Sequence, residues 1–402
     1  MPKTGLAIFG GDKVKKTSYP PRKQFGEDEL SMVEAVFQSS WDSGSDFGYQ
    51  GDFEKKYTDN FCTFQGGGYA DAVSSGTVAI FIALAALDLD KGSEVIVSPI
   101  TDPGGVSPVL MNGMTPVLCD SAPGSYNVDL NEIKKVITDK TRAVVITHMT
   151  GVAVNIEPIV EYLRDKGIKV LEDCSQAHGA SISGKKVGTF GDIAAFSTMY
   201  SKNHSTGGCG GVIYTSNYDL YRRVRYIADR GKEFDAKDFD SKNANRLLFP
   251  ALNFNLDEVS CAIGISTLKK LPLVIKARNQ VKEALRAGLR DSKVCSFMKE
   301  CEDSISSPFF QVIKVDSSKI SCTKIEFANA IKAEGASINP DYQFVTSQWD
   351  WVKPYLKAEV DLVNAREIRD SSFNILFHEK YQEEDINDII LAIKKVESFY
   401  LR

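Results

Sequence analysis

Lys202 is the residue on which chemistry in this chain would turn. It lies in the stretch 196–215, FSTMYSKNHSTGGCGGVIYT, five residues after Ser197 and shortly before the glycine cluster that ends in Gly210 and Gly211. The runs 193–197 and 211–215 have the β-branched and aromatic content of buried strands, so the polar segment between them reads as a loop at the end of a sheet. A lysine enclosed by small residues and backbone amides is desolvated and loses its proton near neutral pH, the state that forms a Schiff base. A surface lysine on a hairpin has the same local spelling, so its meaning depends on what else the chain supplies.

Two further stretches supply matching parts. Ser74-Ser75-Gly76-Thr77 stands between a strand-like segment, 68–73, and the apolar run 78–89. A strand, a small-residue turn and a helix start leave N–H groups unpaired at the positive end of the helix dipole, which favours a phosphate. The hydroxyls of Ser75 and Thr77 add donors, although a simple helix cap has the same pattern. The strand 168–171 runs into Glu172-Asp173-Cys174-Ser175-Gln176-Ala177-His178. A carboxylate at the end of a buried strand is costly unless it meets a cation, and a protonated pyridine nitrogen is such a partner. Asp173 is the candidate, with an N-cap as its plain alternative. It precedes Lys202 by 29 residues, enough for one more hairpin or crossover before the lysine strand.

The pattern FSxxxxKxxxxGxGG, with the SGT turn and EDCSQAHGA before it, resembles the DegT/DnrJ/EryC1/StrS family of sugar aminotransferases. The resemblance covers nearly the whole chain. It implies pyridoxal 5'-phosphate (PLP) as cofactor, Lys202 as its Schiff-base lysine and Asp173 as the partner of its ring nitrogen. It implies that Ser75, Gly76, Thr77 and Ser197 hold the phosphate, and that Gln176 contacts the ring hydroxyl. His178 lies close to the cofactor by the same resemblance, or is a core residue packed under the loop. The stretch FPALNFNLDEVSCAIG, 249–264, is similar to a family segment whose asparagine, here Asn253, crosses a dimer interface to the partner's cofactor phosphate. That implies a homodimer with shared active sites.

Three positions depart from the family pattern. Asp102, in SPITDPGG, stands where most relatives stack an aromatic ring on the cofactor, and a carboxylate cannot stack. Either another side chain covers the ring, with His148 and Tyr200 as candidates, or Asp102 faces the acceptor substrate. Thr150 replaces a common aromatic, and Asn255 replaces an arginine whose charge an amide cannot supply. Some relatives replace the lysine by histidine and catalyse dehydration; Lys202 argues against that branch, and His204 stands two residues out of register. Asp102, His148, His178 and His204 are therefore the candidate substrate-facing residues. A PLP-dependent sulfur lyase shares the fold, but Cys209 in a glycine cluster is a poor nucleophile for it.

The elements that must position these groups alternate. Segments 94–97, 115–119, 143–148 and 168–171 read as strands, while 131–137 and 157–166 read as helices, the signature of an α/β domain with a mostly parallel sheet and sites at the strands' carboxyl ends. The expectation is PLP-dependent transferase fold type I: an arm over 1–26, a large α/β domain over 27–265 and a smaller α+β domain over 266–402. Helices are expected over 27–39, 53–61, 218–230, 266–289, 325–334 and 383–399, and a strand over 309–315. The aromatic segment 342–355 reads as a sugar- or nucleotide-stacking wall or as a domain-packing cluster.

Composition limits the remaining possibilities. The 402 residues are 43% hydrophobic and 25% charged, enough for a large core and two or three structural units. A net charge of −5 without a long basic cluster argues against a nucleic-acid partner. No stretch has the length and apolarity of a membrane span or secretory signal, so a cytoplasmic location is expected. Eight scattered cysteines contain no CxxC pair, which gives no support for a metal site or a disulfide framework. The Asn203-His204-Ser205 sequon is accidental beside a buried lysine. The function implied is transfer of an amino group from an amino acid, glutamate or glutamine, to a keto-sugar, foremost a nucleotide-linked one. A keto-cyclitol, a non-nucleotide keto-sugar such as an oxidised octulosonate, and a non-catalytic PLP- or sugar-binding regulatory role remain alternatives.

Overall fold

The computed structural model describes residues 5–240, 243–357 and 360–402; residues 1–4 of the expected arm lie outside them. A seven-stranded sheet runs in the order Tyr69–Val73, Gly211–Thr215, Ile193–Ser197, Lys169–Asp173, Thr141–Thr147, Glu94–Val97, Thr115–Leu118. Gly211–Thr215 pairs antiparallel with both its neighbours, and every other pairing is parallel. The strands are buried on both faces because helices cover them, which explains their near-continuous apolar spelling. Register then sets the site: Thr147 pairs with Asp173 and Asp173 with Ala195, so neighbouring strands end side by side at their carboxyl edge.

The helix Gly76–Ala86 follows the first strand directly. It is apolar all round and buried, and Ser75 caps it by accepting from Val78 N at 3.2 Å, a cap worth about 1 kcal/mol. Helices Glu27–Ser43 and Asp52–Gln65 extend past the spans expected from sequence and pack on the helix Glu258–Gly288. That 31-residue helix starts earlier than the sequence suggests because Asp257 caps it, accepting from Ser260 N at 2.9 Å. It runs straight across the expected boundary at 265/266.

A four-stranded antiparallel sheet, Cys295–Phe297, Gln311–Val315, Ser372–Ile375 and Ile338–Asn339, packs with helices Lys324–Ala333 and Glu383–Tyr400 around a core of its own. The N-terminal arm contributes Leu6 to that core. Lys15 pairs with Asp385 at 2.7 Å, Ala7 N donates to Glu334 at 2.8 Å, and Tyr19 stacks on Tyr381 with centroids 4.8 Å apart. A short three-stranded sheet pairs Ser304–Ile305 with Ser181–Ile182 and so ties the two portions together. Among the described residues no helix is long and apolar enough to cross a membrane.

Candidate active site

The phosphate turn and the lysine hairpin touch each other. A Cβ on Gly76 would lie 2.4 Å from Ser197 Cβ, and one on Gly211 would lie 2.4 Å from the Ser75 carbonyl oxygen, so both positions require glycine for this approach. The hairpin is held within itself by Thr198 N donating to Gly210 O at 2.8 Å and Thr206 N to Thr198 O at 2.9 Å. The Thr198 and Thr206 hydroxyls meet at 2.7 Å.

One pocket opens at this junction. Ser75, Gly76, Thr77, Asp102, Asp173, Gln176, Ser197 and Lys202 all line it, so eight of the residues expected from sequence come together. Thr101, Thr147, Met199 and Cys209 line it too. The hydroxyl-bearing turn, with the Gly76 and Thr77 amides at the helix start, forms one end, a donor set that fits a phosphate. Asp173 is buried; its Oδ1 accepts from Ser175 N at 3.0 Å and its Oδ2 from Thr147 Oγ1 at a long 3.4 Å, leaving acceptor capacity toward the pocket. That suits a protonated ring nitrogen. The Gln176 Oε1 accepts from Thr150 N at 2.9 Å, so its amide nitrogen is the end that donates, with the Tyr342 hydroxyl as one partner and a second N–H left over.

Lys202 is open to the pocket yet walled by protein. Burial lowers its pKa from the ordinary lysine value, and the carboxylates of Asp173 and Asp102 only partly oppose this. Its Nζ stands 4.7 Å from the centroid of the Phe309 ring. Phe309 belongs to the segment 306–310, which is pinned in place: Asn203 Nδ2 donates to Ser307 O at 3.1 Å, and Phe309 N donates to Thr150 O at 2.9 Å. Thr150 sits at φ 62°, a left-handed conformation that a β-branched residue adopts at a cost of about 1–3 kcal/mol. The strained residue thus links Gln176, through its N–H, to Phe309, through its carbonyl.

The three candidate histidines stand elsewhere. His148, fully buried, accepts at Nδ1 from Val154 N at 3.0 Å and therefore donates from Nε2 to Glu172 at 3.1 Å, a single neutral tautomer with both nitrogens used. His204 meets Tyr57 OH at 2.7 Å and Thr267 Oγ1 at 3.1 Å, and burial pushes its pKa down to about 3. His178 packs against Phe196 and His204, and burial holds it well below the usual histidine range. None of them lines the pocket, because each side chain points into the core behind it. Tyr200 is 62% exposed and also outside the pocket, so neither it nor His148 covers a ring there.

Asn253 does not line its own chain's pocket. It is exposed, and its Oδ1 accepts from Asn255 N at 3.2 Å and from Asn255 Nδ2 at 2.7 Å, while Asn255 Oδ1 accepts from Gln50 at 3.0 Å. Asn255 braces Asn253. Sequence reasoning missed Thr101, Thr147, Met199 and Phe309. The threonines end or follow strands and were visible as such; Phe309 carries no local signal, since it reaches the lysine from the C-terminal portion.

Comparison with known proteins identifies the family and the fold. The chain matches the DegT/DnrJ/EryC1/StrS aminotransferase family over residues 23–394. It is 29% identical to GDP-perosamine synthase of Escherichia coli O157:H7 over 68% of this chain and 71% of the relative. The aminotransferase from Psychrobacter cryohalolentis has a similar structure, with a TM-score of 0.87 and 26% identity over 95% of this chain and 99% of that one. The E. coli GDP-4-keto-6-deoxy-D-mannose-3-dehydratase with bound hydrated PLP shares the fold at a TM-score of 0.82 and 24% identity, over 94% of this chain and 99% of that one. The chain therefore belongs to the DegT/DnrJ/EryC1/StrS aminotransferase family, has the PLP-dependent transferase fold type I, and is a transaminase.

Proposed function

We propose that the protein transfers an amino group from glutamate or glutamine to a keto-sugar, foremost a nucleotide-linked one, with pyridoxal 5'-phosphate as cofactor. The observation that carries this reading is the convergence of Lys202, Asp173 and the Ser75–Thr77 turn on one pocket, with Lys202 desolvated. Ser75, Thr77 and Ser197 with the first-turn amides would hold the phosphate, Asp173 would face the ring nitrogen and Gln176 the ring hydroxyl. When bound, the cofactor supplies an electron sink for the carbon that carries the amino group. Lys202, whose Nζ burial shifts toward the neutral amine, would hold the cofactor at rest and, once released, take and return one proton at that carbon. Phe309 and the buried threonines exclude water from the amine, which keeps it a base.

GDP-perosamine synthase, among the relatives, acts in nucleotide-sugar chemistry by its name, and that favours such an acceptor here. The test is isotope-labelled glutamate with a panel of nucleotide-linked keto-sugars, keto-cyclitols and phosphorylated keto-sugars, read by mass spectrometry. Label in an amino sugar from the nucleotide-linked set is the expected outcome. Label only in a cyclitol or a free sugar moves the acceptor, and 2-oxoglutarate that never forms sinks the transaminase reading.

We further propose a cytoplasmic homodimer in which Asn253 serves the partner's site. Exposed Leu30, Phe37 and Trp41 on the helix Glu27–Ser43, with Phe47 after it, form one apolar surface, and exposed Leu248, Phe249 and Leu252 lead directly to Asn253. Mixing Lys202→Ala with Asn253→Ala subunits should restore activity above the sum of the two, since one site per mixed dimer is then intact. No gain on mixing contradicts shared sites. The same reading divides the chain into the arm 1–26 and units 27–265 and 266–402, supported by the separate core of the C-terminal portion.

A further inference from the structure

The N-terminal arm reaches the lysine hairpin through two side chains. Arg22 donates from Nη1 to Ser201 O at 3.1 Å and from Nη2 to Lys202 O at 2.8 Å, and Gln24 Nε2 donates to the same Lys202 carbonyl at 3.2 Å. The remaining face of the Arg22 guanidinium pairs through Nε with Glu379 Oε1 at 3.0 Å. The other oxygen of Glu379 accepts from Arg278 Nε, also at 3.0 Å. Arg278, 2% exposed on the helix Glu258–Gly288, donates from Nη1 to the carbonyls of Pro308, Phe309 and Phe377 at 3.2, 3.3 and 3.1 Å.

One carboxylate therefore joins two arginines with distinct cargo. Arg22 grips the backbone of Lys202; Arg278 grips the backbone of Phe309, whose ring faces the Lys202 amine. Burial opposes the charge on Glu379, and the Arg278 and Arg22 guanidiniums more than offset that, holding its pKa below the ordinary carboxylate value. An uncompensated charge there would be costly, so the three side chains stand or fall together. A lysine ammonium in place of Arg22 could not span a carboxylate and two carbonyls, because only the planar fork presents donors in those directions.

We propose that Arg22, Glu379 and Arg278 are positioning residues that fix the Lys202 amine from both its own backbone and the aromatic opposite it. The proposal rests on the reading of Lys202 as the cofactor lysine. That lysine must be released and then return to one carbon atom, and misplacement of a catalytic group by about 1 Å costs up to about a hundredfold in rate. None of the three residues needs to touch substrate to exert this effect. The titratable groups that share the pocket with Lys202 are Asp173, Asp102 and Cys209, and the buried His178 stands in the core behind it.

The test uses the holoenzyme with Arg22→Met, Arg22→Lys and Glu379→Gln, and reads three quantities. Cofactor affinity should stay within about threefold, while the single-turnover rate at which glutamate bleaches the cofactor's visible band should fall roughly tenfold to a hundredfold. Arg22→Lys should recover only a small part of that loss. After cofactor removal, trace acetylation of Lys202 across pH, read by peptide mass spectrometry, should show its midpoint moving up toward that of an ordinary lysine as water reaches the amine. A folded variant with wild-type bleaching rate and wild-type midpoint overturns the proposal. If Glu379→Gln does not fold, because it leaves two guanidiniums without a counter-charge, Arg22→Met, which keeps the Glu379–Arg278 pair, answers the same question. If the wild type has no band that glutamate bleaches, the functional reading fails instead, and the acetylation midpoints still decide whether the clamp holds the amine.

Discussion

Glu172 and Asp173 are consecutive at the end of the strand Lys169–Asp173, and the alternation of a strand turns them to opposite faces of the sheet. Both are buried carboxylates, and their surroundings could hardly differ more. Glu172 accepts from His148 at 3.1 Å and from the backbone amides of Gly188, Phe190 and Gly191 at 2.7, 2.8 and 2.7 Å. Asp173 has one good donor, Ser175 N, and one long contact to Thr147, and it opens on the pocket with Lys202. A buried charge whose lone pairs are all taken by the protein holds the fold together. One whose capacity is left over is available to a ligand.

The paired substitutions test this contrast most strongly. Asp173→Asn should leave the fold intact and lower transamination by roughly 10²-fold or more, the scale of losing one preorganised charged group in a site. Glu172→Gln should do the reverse. It turns an amide NH₂ toward backbone N–H donors, so stability should fall by about 1–3 kcal/mol while the turnover of the folded fraction stays close to wild type. Thermal unfolding beside activity per folded molecule separates the two. Equal losses of activity from both would break the comparison.

A third buried carboxylate sharpens it at smaller amplitude. Glu54 accepts from Gln50 N at 2.6 Å, but burial and the nearby Asp71 push its pKa well above the ordinary 4.5. Asp71 is raised as well, by burial against the pull of Arg225. The folded protein therefore binds these protons more tightly than the unfolded chain does. Above about pH 4.5 the unfolded carboxylate ionises first, so stability falls as pH rises toward the raised folded value. Melting temperature measured across that window should decline, and Glu54→Gln should flatten the decline. A slope that is unchanged in the variant assigns the effect to another group.

The same contrast explains what the sequence made legible. The SGT turn, Asp173 and Lys202 are local patterns at strand ends, where a parallel sheet places its sites, so residue type and position together point to them. Histidine gives no such guidance. His148 and His204 have every ring nitrogen used inside the core, and nothing in their flanking residues distinguishes that from a place in the pocket. Phe309 and Arg22 were invisible for a different reason. They reach Lys202 across the fold from the C-terminal portion and the arm, and only the packing of helix Glu258–Gly288 and the segment 306–310 brings them there. The helix start at Glu258 was readable in Asp257 and Ser260, an ordinary N-cap pair; the family-like segment 249–264 drew attention to Asn253 instead.

The most direct measurement is the visible absorbance spectrum of the purified protein beside Lys202→Ala, before and after glutamate is added. The account predicts a cofactor band in the wild type that glutamate bleaches, and a variant that lacks both the band and the response. A wild type with no such band, or a Lys202→Ala protein whose band glutamate bleaches as in the wild type, would contradict the central role given to Lys202.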